Sequence, residues 1–187
     1  VNDIVLGFDK TEEYMSPEYQ KQRPCFGSAI GRYANRIQNA TFKIDDKKYL
    51  LSKNLGNNQL HGGENGFDKK VWRLVHTGQS PCPFLIFKYI SPDGEEGFPG
   101  NLEVFIRFEL NDNNELSYEY KATCDQATAI NLTHHSYFNL NDKEETIKEQ
   151  YVKIYSSHVL DQDEDLTANG NLSPVEGTPF DLTDFRL

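Results

Sequence analysis

The chain has 187 residues, a length that suits one domain with a substantial hydrophobic core. Its 29 acidic side chains outnumber its 19 Lys and Arg, which gives a formal net charge of -10 at pH 7. Because binding to a phosphate backbone depends on clustered Lys and Arg, this charge argues against a nucleic-acid partner. A neutral or cationic partner fits the composition better.

The cysteines and the apolar stretches bear on where in the cell the protein is found. Cys25, Cys82 and Cys124 are far apart and form no C-x-x-C motif, so neither a disulfide framework nor a thiolate zinc site is indicated. The longest uninterrupted apolar run, residues 84–87, is too short to cross a membrane, and the N-terminus lacks the pattern of a signal peptide. We therefore predict a soluble, cytoplasmic protein without a membrane partner, and the sequence leaves its oligomeric state open.

Apolar residues alternate with polar ones along several short stretches, which is typical of half-buried β-strands. Aromatic residues, 12% of the chain, favour the same structure, and no window of helical length keeps an apolar period of 3.6 residues. In chain order the predicted strands are residues 42–44, 47–51, 71–75, 84–90, a hairpin of 102–110 and 116–122, and 151–155. Many short strands at close spacing predict an all-β fold, an antiparallel sandwich or barrel.

Polar candidates for a binding site begin with Arg32 and Arg36, which lie four residues apart in the glycine-containing segment 31–37. The planar donors of a guanidinium can bind paired oxygens such as vicinal hydroxyls, although surface ion pairing is the commoner role of an isolated Arg. Further along, His61 precedes two glycines, which allow the backbone to pass close to a ligand. These three side chains are the first candidates.

Two acidic stretches have structural interpretations. Residues 91–100 hold three carboxylates among glycines and prolines, but they lack the D-x-[DN]-x-[DN]-G order of a calcium loop, so we predict a structural turn. Residues 161–165 are predicted to form a solvated loop.

Residues 128–139 contain the adjacent histidines His134 and His135. In an extended run, successive side chains point to opposite faces, so the two imidazoles would point apart. Histidine changes protonation most readily near neutral pH, which suits it to proton transfer. His135 is therefore either catalytic or a partly buried structural histidine, and the run alone favours neither. The mostly apolar face would hold Thr128, Ile130, Leu132, His134, Ser136 and Phe138, and the polar face Asn131, Thr133, His135, Tyr137 and Asn139.

Sequence motifs for metal or nucleotide chemistry are absent. There is no H-E-x-x-H motif, and adjacent histidines on a strand cannot easily share one ion. The G-x-S-x-G nucleophile elbow, the P-loop and the G-x-G-x-x-G motif are missing as well. We therefore predict neither a metal nor a cofactor.

Five motifs, taken in order along nearly the whole chain, are more specific together than any one of them. They are Phe26-Gly27 with residues 31–37, Leu60-His61-Gly62-Gly63 with Gly66-Phe67-Asp68 and Trp72, residues 91–100, residues 131–140 and residues 174–181. In this order they resemble the aldose 1-epimerase family, whose members are also called galactose mutarotases.

The resemblance implies a large antiparallel β-sandwich of the galactose mutarotase type, with an open sugar cleft and neither cofactor nor metal. It implies an isomerase that interconverts the α and β anomers of free aldohexoses, galactose or glucose, by acid–base ring opening and reclosure. Carried over by motif, His135 is the general acid that protonates the ring oxygen, and His61 assists at or near that oxygen. Arg36, together with Asn35 and His61, holds the sugar.

The resemblance also implies that part of the family's length lies outside this sequence. The family's general base is a Glu near its C-terminus, a sugar-binding Asp lies in the same continuation, and nothing in residues 1–187 matches either. The first strands of the family are missing as well. We therefore expect a single but partial β-sandwich domain over residues 1–187.

Two other functions stay open at this point. A sugar-binding module without turnover would need the sandwich and Arg36 but no base. A hexose-6-phosphate 1-epimerase of the same superfamily would favour additional Arg near the cleft to bind the phosphate, and the acidic composition gives no indication of this.

His134 stands where the family usually has Asn, and its place on the apolar face predicts an effect on packing rather than on proton transfer.

Overall fold

The computed structural model describes residues 3–141 and 146–184 of the chain. Over these residues strands are the main regular structure and helices are few and short, and every pairing between strands is antiparallel. The strands are β1 (Ala29–Ile30), β2 (Arg36–Ile37), β3 (Thr41–Ile44), β4 (Lys47–Leu50), β5 (Gln59–Leu60), β6 (Arg73–Gly78), β7 (Phe84–Ser91), β8 (Leu102–Leu110), β9 (Leu116–Cys124), β10 (Thr133–His134), β11 (His158–Gln162) and β12 (Ala168–Pro174). The helices are α1 (Pro17–Gln22) and the 3-10 helices Thr11–Met15, Gln38–Ala40, Phe67–Lys69 and Glu95–Gly97. The predicted antiparallel, strand-rich architecture is confirmed.

Contacts between residues divide the chain into two compact units. The 29–134 unit is the continuous segment Ala29–His134. The outer-segment unit combines Val1–Ser28 with His135–Leu187. The expectation of one partial sandwich domain stays a prediction.

A four-stranded antiparallel meander, in the order β6-β7-β8-β9, is the largest sheet of the 29–134 unit. Along β8 the side chains of Leu102, Val104 and Ile106 are buried, whereas Glu103 and Phe105 between them are only partly covered. This period of two turns one face of the sheet toward a hydrophobic core. The core on that face also contains Phe67, Trp72, Tyr89, Ala122 and Leu132.

The sequence located most strands of this unit. The strands predicted at residues 42–44, 47–51 and 84–90 and the hairpin of residues 102–110 and 116–122 are confirmed as β3, β4, β7, β8 and β9. The strand predicted at residues 71–75 instead begins at Arg73 and continues to Gly78, with an irregular register between Leu74 and His76. Residues 91–100 form the predicted turn, which contains the 3-10 helix Glu95–Gly97.

The outer-segment unit differs more from the sequence prediction. A strand at residues 151–155 is wrong, because only Val152 forms an isolated bridge there. The N–H of Ile154 donates to the carbonyl of Leu182 at 2.7 Å, but among the described residues no ladder continues from this bond. The predicted loop at residues 161–165 begins inside β11, which pairs antiparallel with β12.

The helix α1 has only six residues, too few for an apolar period to reveal it. The hydroxyl of Ser16 accepts from the N–H of Tyr19 at 3.3 Å, and Pro17 occupies the first position, where a missing N–H costs no hydrogen bond. The helix holds one ring of an aromatic cluster whose edge-to-face or tilted neighbours have centroids 5.0–5.9 Å apart, namely Phe8, Tyr14, Tyr19, Phe26 and Tyr137. Across the described residues, no helix has the length and hydrophobicity that a bilayer crossing requires.

Arg32 is a buried cation in the 29–134 unit, with only 2% of its surface exposed. Its guanidinium donates to the hydroxyl of Ser91 at 2.8 Å and to four backbone carbonyls at 2.8–2.9 Å. The four carbonyls belong to Ser91, Pro92, Pro99 and Gly100. One planar fork of donors therefore holds the two ends of the 91–100 turn together.

Glu95, within the same turn, supplies a partly buried negative charge. Its carboxylate forms an ion pair with Lys70 at 2.7 Å and accepts hydrogen bonds from the hydroxyls of Tyr89, at 2.7 Å, and of Ser91. Burial alone would raise the pKa of Glu95, but these hydrogen bonds hold that pKa below its usual value. Burial lowers the pKa of Arg32, and burial together with the bond to Glu95 raises the pKa of Tyr89.

We expect Arg32→Met to lower the free energy of unfolding by about 3–5 kcal/mol, because it leaves four backbone carbonyls and the hydroxyl of Ser91 without the donor that they share. Urea unfolding at neutral pH measures this loss. Arg73→Met is the matched control, since Arg73 is exposed at the start of β6 and its removal should change stability by no more than about 0.5 kcal/mol. Equal effects of the two substitutions would contradict the role assigned to Arg32.

Candidate functional site

Three of the residues predicted for the site lie side by side in the 29–134 unit. Strand β2 pairs with β5 so that Arg36 lies opposite Leu60, and this register brings Asn35 next to His61. The backbone N–H of His61 donates to the carbonyl of Asn35 at 3.0 Å. In return, the backbone N–H of Asn35 donates to Nδ1 of the His61 ring at 3.1 Å.

The bond from Asn35 determines which nitrogen of His61 holds the proton. A backbone N–H can only donate, so Nδ1 of His61 must be the unprotonated acceptor. In the neutral imidazole the proton then lies on Nε2, which becomes the donating nitrogen. His61 is thus held as a hydrogen-bond donor of defined direction.

Arg36 is half-buried beside this pair and donates from Nη1 to the side-chain oxygen of Asn35 at 3.1 Å. Its Nε–H is buried and has no acceptor among the described residues. An unsatisfied buried donor costs about 1–3 kcal/mol, and an added oxygen acceptor would remove that cost. Arg32, by contrast, is fully engaged with the 91–100 turn, so the two guanidiniums of the segment have different roles.

The two glycines after His61 allow its loop to close. Gly62 has a φ of +84°, and a Cβ placed on it would lie 1.8 Å from the carbonyl oxygen of Gly31. No side chain fits this approach, and the left-handed conformation favours glycine in any case. On the other side of the loop, Asn54 brackets Leu60, since its side chain accepts from the N–H at 2.7 Å and donates to the carbonyl at 2.9 Å.

His135, the predicted general acid, belongs to the outer-segment unit. Its backbone N–H donates to the carbonyl of Ser28 at 2.9 Å, and its own carbonyl accepts from Gly27 at 3.2 Å. Its ring lies 5.0 Å from that of Tyr137 with a tilt of 42° between the planes. The hydroxyl of Tyr137 donates to the carbonyl of Pro24 at 3.0 Å, and burial raises the pKa of Tyr137.

His134 has a different environment, in β10 of the 29–134 unit, where it lies opposite Ala29. Its ring stacks on Tyr118 with centroids 4.5 Å apart and contacts Phe108 edge-on at 5.6 Å. This packing agrees with the structural role predicted for His134. The strand around it is shorter than the alternation predicted, because β10 comprises only two residues. On the face predicted to be apolar, Phe138 is 46% exposed.

Sequence reasoning missed Glu96, which we interpreted only as part of a structural turn. Its carboxylate accepts from the backbone N–H groups of Glu64 and Asn65, in the loop that follows His61. The two segments are more than 30 residues apart, and no spacing in the sequence signals their contact. Among the described residues no group of three potential metal ligands comes together.

The sequence of this chain is similar to those of known proteins. The family model for aldose 1-epimerase matches residues 1–187. The chain belongs to the aldose 1-epimerase family. The galactose mutarotase of Homo sapiens is 47% identical over 184 residues, which are 97% of this chain and 50% of that protein. The aldose 1-epimerase of Escherichia coli K12 is 39% identical over 173 residues, 92% of this chain and 49% of that protein.

Solved structures of the aldose 1-epimerase family confirm the predicted fold. A GalM/aldose epimerase homologue from C. elegans superimposes with a TM-score of 0.87 at 32% identity, covering 98% of this chain and 54% of that chain. Galactose 1-epimerase from Lactobacillus acidophilus NCFM gives a TM-score of 0.86 at 29% identity, covering 99% and 53%. The described chain therefore has the antiparallel galactose mutarotase fold, and it spans about half the length of the curated relatives it matches.

The tautomer assigned to His61 can be measured directly. In the ¹⁵N-labelled protein, at a pH above the usual range of histidine titration, we expect Nε2 of His61 to be protonated and Nδ1 to be an acceptor. Long-range ¹H–¹⁵N correlation spectra distinguish the two nitrogens. His76, which is exposed on β6, serves as the control and should show an averaged mixture of tautomers. A proton on Nδ1 of His61 would contradict the hydrogen bond from Asn35.

Proposed function

We propose that this chain is part of an aldose 1-epimerase that interconverts the α and β anomers of free aldohexoses such as galactose and glucose. The observation that carries the proposal is the pairing of β2 with β5, through which the imidazole of His61 and the guanidinium of Arg36 both hydrogen-bond to Asn35. Membership of the family, and the names of the relatives given above, support the epimerase rather than a binding module or a hexose-6-phosphate epimerase.

The reaction has two halves, ring opening and ring closure, and each requires two proton transfers. A proton delivered to the ring oxygen and another withdrawn from the C1 hydroxyl break the bond between C1 and the ring oxygen and leave an open-chain aldehyde. Rotation about the C1–C2 bond exposes the other face of the aldehyde. Reclosure with the proton roles reversed gives the other anomer and restores both groups. General acid–base catalysis of this kind contributes about 10²- to 10⁴-fold.

The proposed roles follow the resemblance and the local geometry. His135 delivers the proton to the ring oxygen. His61 assists there by donating from Nε2, the nitrogen left protonated by the bond to Asn35. Arg36 and Asn35 hold sugar hydroxyls, and a hydroxyl oxygen is the kind of acceptor that the Nε–H of Arg36 needs. We assign the base that takes the proton from the C1 hydroxyl to no residue of this chain.

The proposed setting is the cytoplasm, with a small sugar as partner and without a nucleic-acid or membrane partner. Cys82 and Cys124 are thiols outside any disulfide, which suits a reducing compartment. The net charge of -10 disfavours binding to a phosphate backbone but does not oppose an uncharged hexose.

Polarimetry of freshly dissolved α-D-galactose tests the function and the general acid together. A longer product of the open reading frame that also holds the family's base should speed the approach to anomeric equilibrium above the buffer rate. Residues 1–187 alone, which hold the proposed acid but no assigned base, should aggregate or need a partner segment and should show no rate above buffer. The kinetic variants are therefore measured in the longer product. His135→Asn should lower kcat by at least about 10²-fold, because the acid is lost. His134→Asn is the matched control and should leave kcat close to that of the unchanged protein, since its ring packs on Tyr118.

The outcomes separate the alternatives. Galactose binding to the longer product by calorimetry, without any acceleration of mutarotation, would make the protein a binding module. A near-normal kcat in His135→Asn would contradict the assignment of the acid.

Arg36→Ala should lower kcat/KM for galactose by about 10- to 100-fold, because a hydrogen bond from a charged donor contributes about 1.5–3 kcal/mol. The kcat/KM of Arg36→Lys should lie between those of Arg36→Ala and the unchanged protein, since lysine keeps the charge and loses the planar fork of donors. Arg73→Ala, at an exposed position of β6, is the control. Circular dichroism must show that all three variants fold, and an unfolded Arg36→Ala would instead assign Arg36 a structural role.

A further inference from the structure

The carboxylate of Glu96 lies against the loop that carries His61. Its Oε2 accepts from the backbone N–H of Glu64 at 2.9 Å, and its Oε1 accepts from the N–H of Asn65 at 3.0 Å. The hydroxyl of Ser52 donates to the same Oε2. Bonds to an ionised acceptor are about twice as strong as those between neutral groups, so Glu96 holds this loop firmly.

The loop is in contact with the carboxylate along its backbone. Gly63 has a φ of +103°, and a Cβ on it would lie 2.1 Å from Oε2 of Glu96. At the far end of the loop, a Cβ on Gly66 would lie 2.6 Å from the carbonyl oxygen of His61. The backbone of residues 61–66 therefore closes tightly next to Glu96, and a displacement of one end is transmitted to the other.

Glu96 is itself fixed in place. It has a positive φ of 52° inside the 91–100 turn, and its backbone carbonyl accepts from the N–H of Ser52 at 3.1 Å and from the side chain of Gln59 at 3.3 Å. Gln59 is buried, with 1% of its surface exposed, and precedes Leu60 in β5. Arg32 holds both ends of the turn. These contacts hold the backbone that carries the carboxylate of Glu96 in a fixed position.

We propose that Glu96 is a positioning residue for the epimerase reaction, and the proposal rests on the function proposed above. It touches no reacting atom. By fixing the backbone of Glu64 and Asn65, it sets the direction of the His61 ring, whose Nε2–H stabilises charge developing on the ring oxygen. A hydrogen-bond donor acts on a transition state only when its geometry is held closely, so loosening the loop should lower kcat more than it raises KM.

A double-mutant cycle with Glu96→Gln and His61→Asn tests whether Glu96 acts through His61. Glutamine keeps the shape of the side chain but has only one acceptor oxygen, so its amide group faces one of the two N–H donors. We expect Glu96→Gln to lower kcat about 10-fold with a smaller change in KM. In the His61→Asn background the same substitution should have little further effect.

Two additional variants make the cycle selective. Glu64→Gln removes a carboxylate from the same loop, where the side chain is exposed and only the backbone N–H is used, so kcat should be unchanged. Ser52→Ala removes the hydroxyl that donates to Glu96 and accepts from the side chain of Gln59 at 3.1 Å, and it should also lower kcat, by a smaller factor. It keeps the test possible if Glu96→Gln does not fold, because Gln59 retains its bonds to the carbonyls of Ser52 and Glu96.

Independent effects of Glu96→Gln and His61→Asn, or an unchanged kcat in both Glu96→Gln and Ser52→Ala, would overturn the proposal. NMR spectra supply a second readout that needs no turnover. In Glu96→Gln the ring nitrogens of His61 and the amide protons of Glu64 and Asn65 should shift, whereas in Glu64→Gln the His61 ring should not. If the longer product that holds the family's base does not speed mutarotation even without a substitution, the proposed function fails, and an unperturbed His61 ring in Glu96→Gln would separately refute positioning.

Discussion

The buried guanidinium of Arg32 is the interaction on which the arrangement of the 29–134 unit depends. The segments around the candidate site form very little regular structure, since β2 and β5 each have only two residues. Such segments cannot satisfy their backbone groups through long ladders. Arg32 supplies five hydrogen bonds to one turn, so a side chain does for this part of the fold what a strand neighbour does elsewhere.

Polar contacts join this turn to the loop that follows His61, and a separate one holds the imidazole of His61. Arg32 fixes the 91–100 turn, Glu96 within that turn binds the backbone of Glu64 and Asn65, and Asn35 binds Nδ1 of His61. Each link joins a fixed donor to a fixed acceptor, which is the preorganisation that a polar site requires. The long strands β7, β8 and β9 stabilise the unit in a different way, because the buried face of their sheet packs into a hydrophobic core.

The sequence predicted the parts of the fold that depend on local alternation. The hairpin of β8 and β9 was recognisable because nine-residue strands with period two flank a polar turn. The segment at residues 151–155 has similar alternation without a continuing ladder, a difference that depends on tertiary neighbours. Arg32 and Arg36 look alike in sequence, yet one is buried and the other adjoins His61. The ordered motifs predicted the candidate site residues, whereas the contact of Glu96 with a distant loop required the structure.

The central proposal is that His61 and Arg36 form part of a sugar site whose donors are oriented before the sugar binds. A crystal structure of the protein with bound galactose tests this most directly. The account predicts Nε2 of His61 within about 2.7–3.2 Å of the sugar ring oxygen or an oxygen next to it, a hydroxyl within the same distance of Arg36, and an unchanged bond from Asn35 to Nδ1. A sugar bound away from His61, or held through Nδ1, would contradict it.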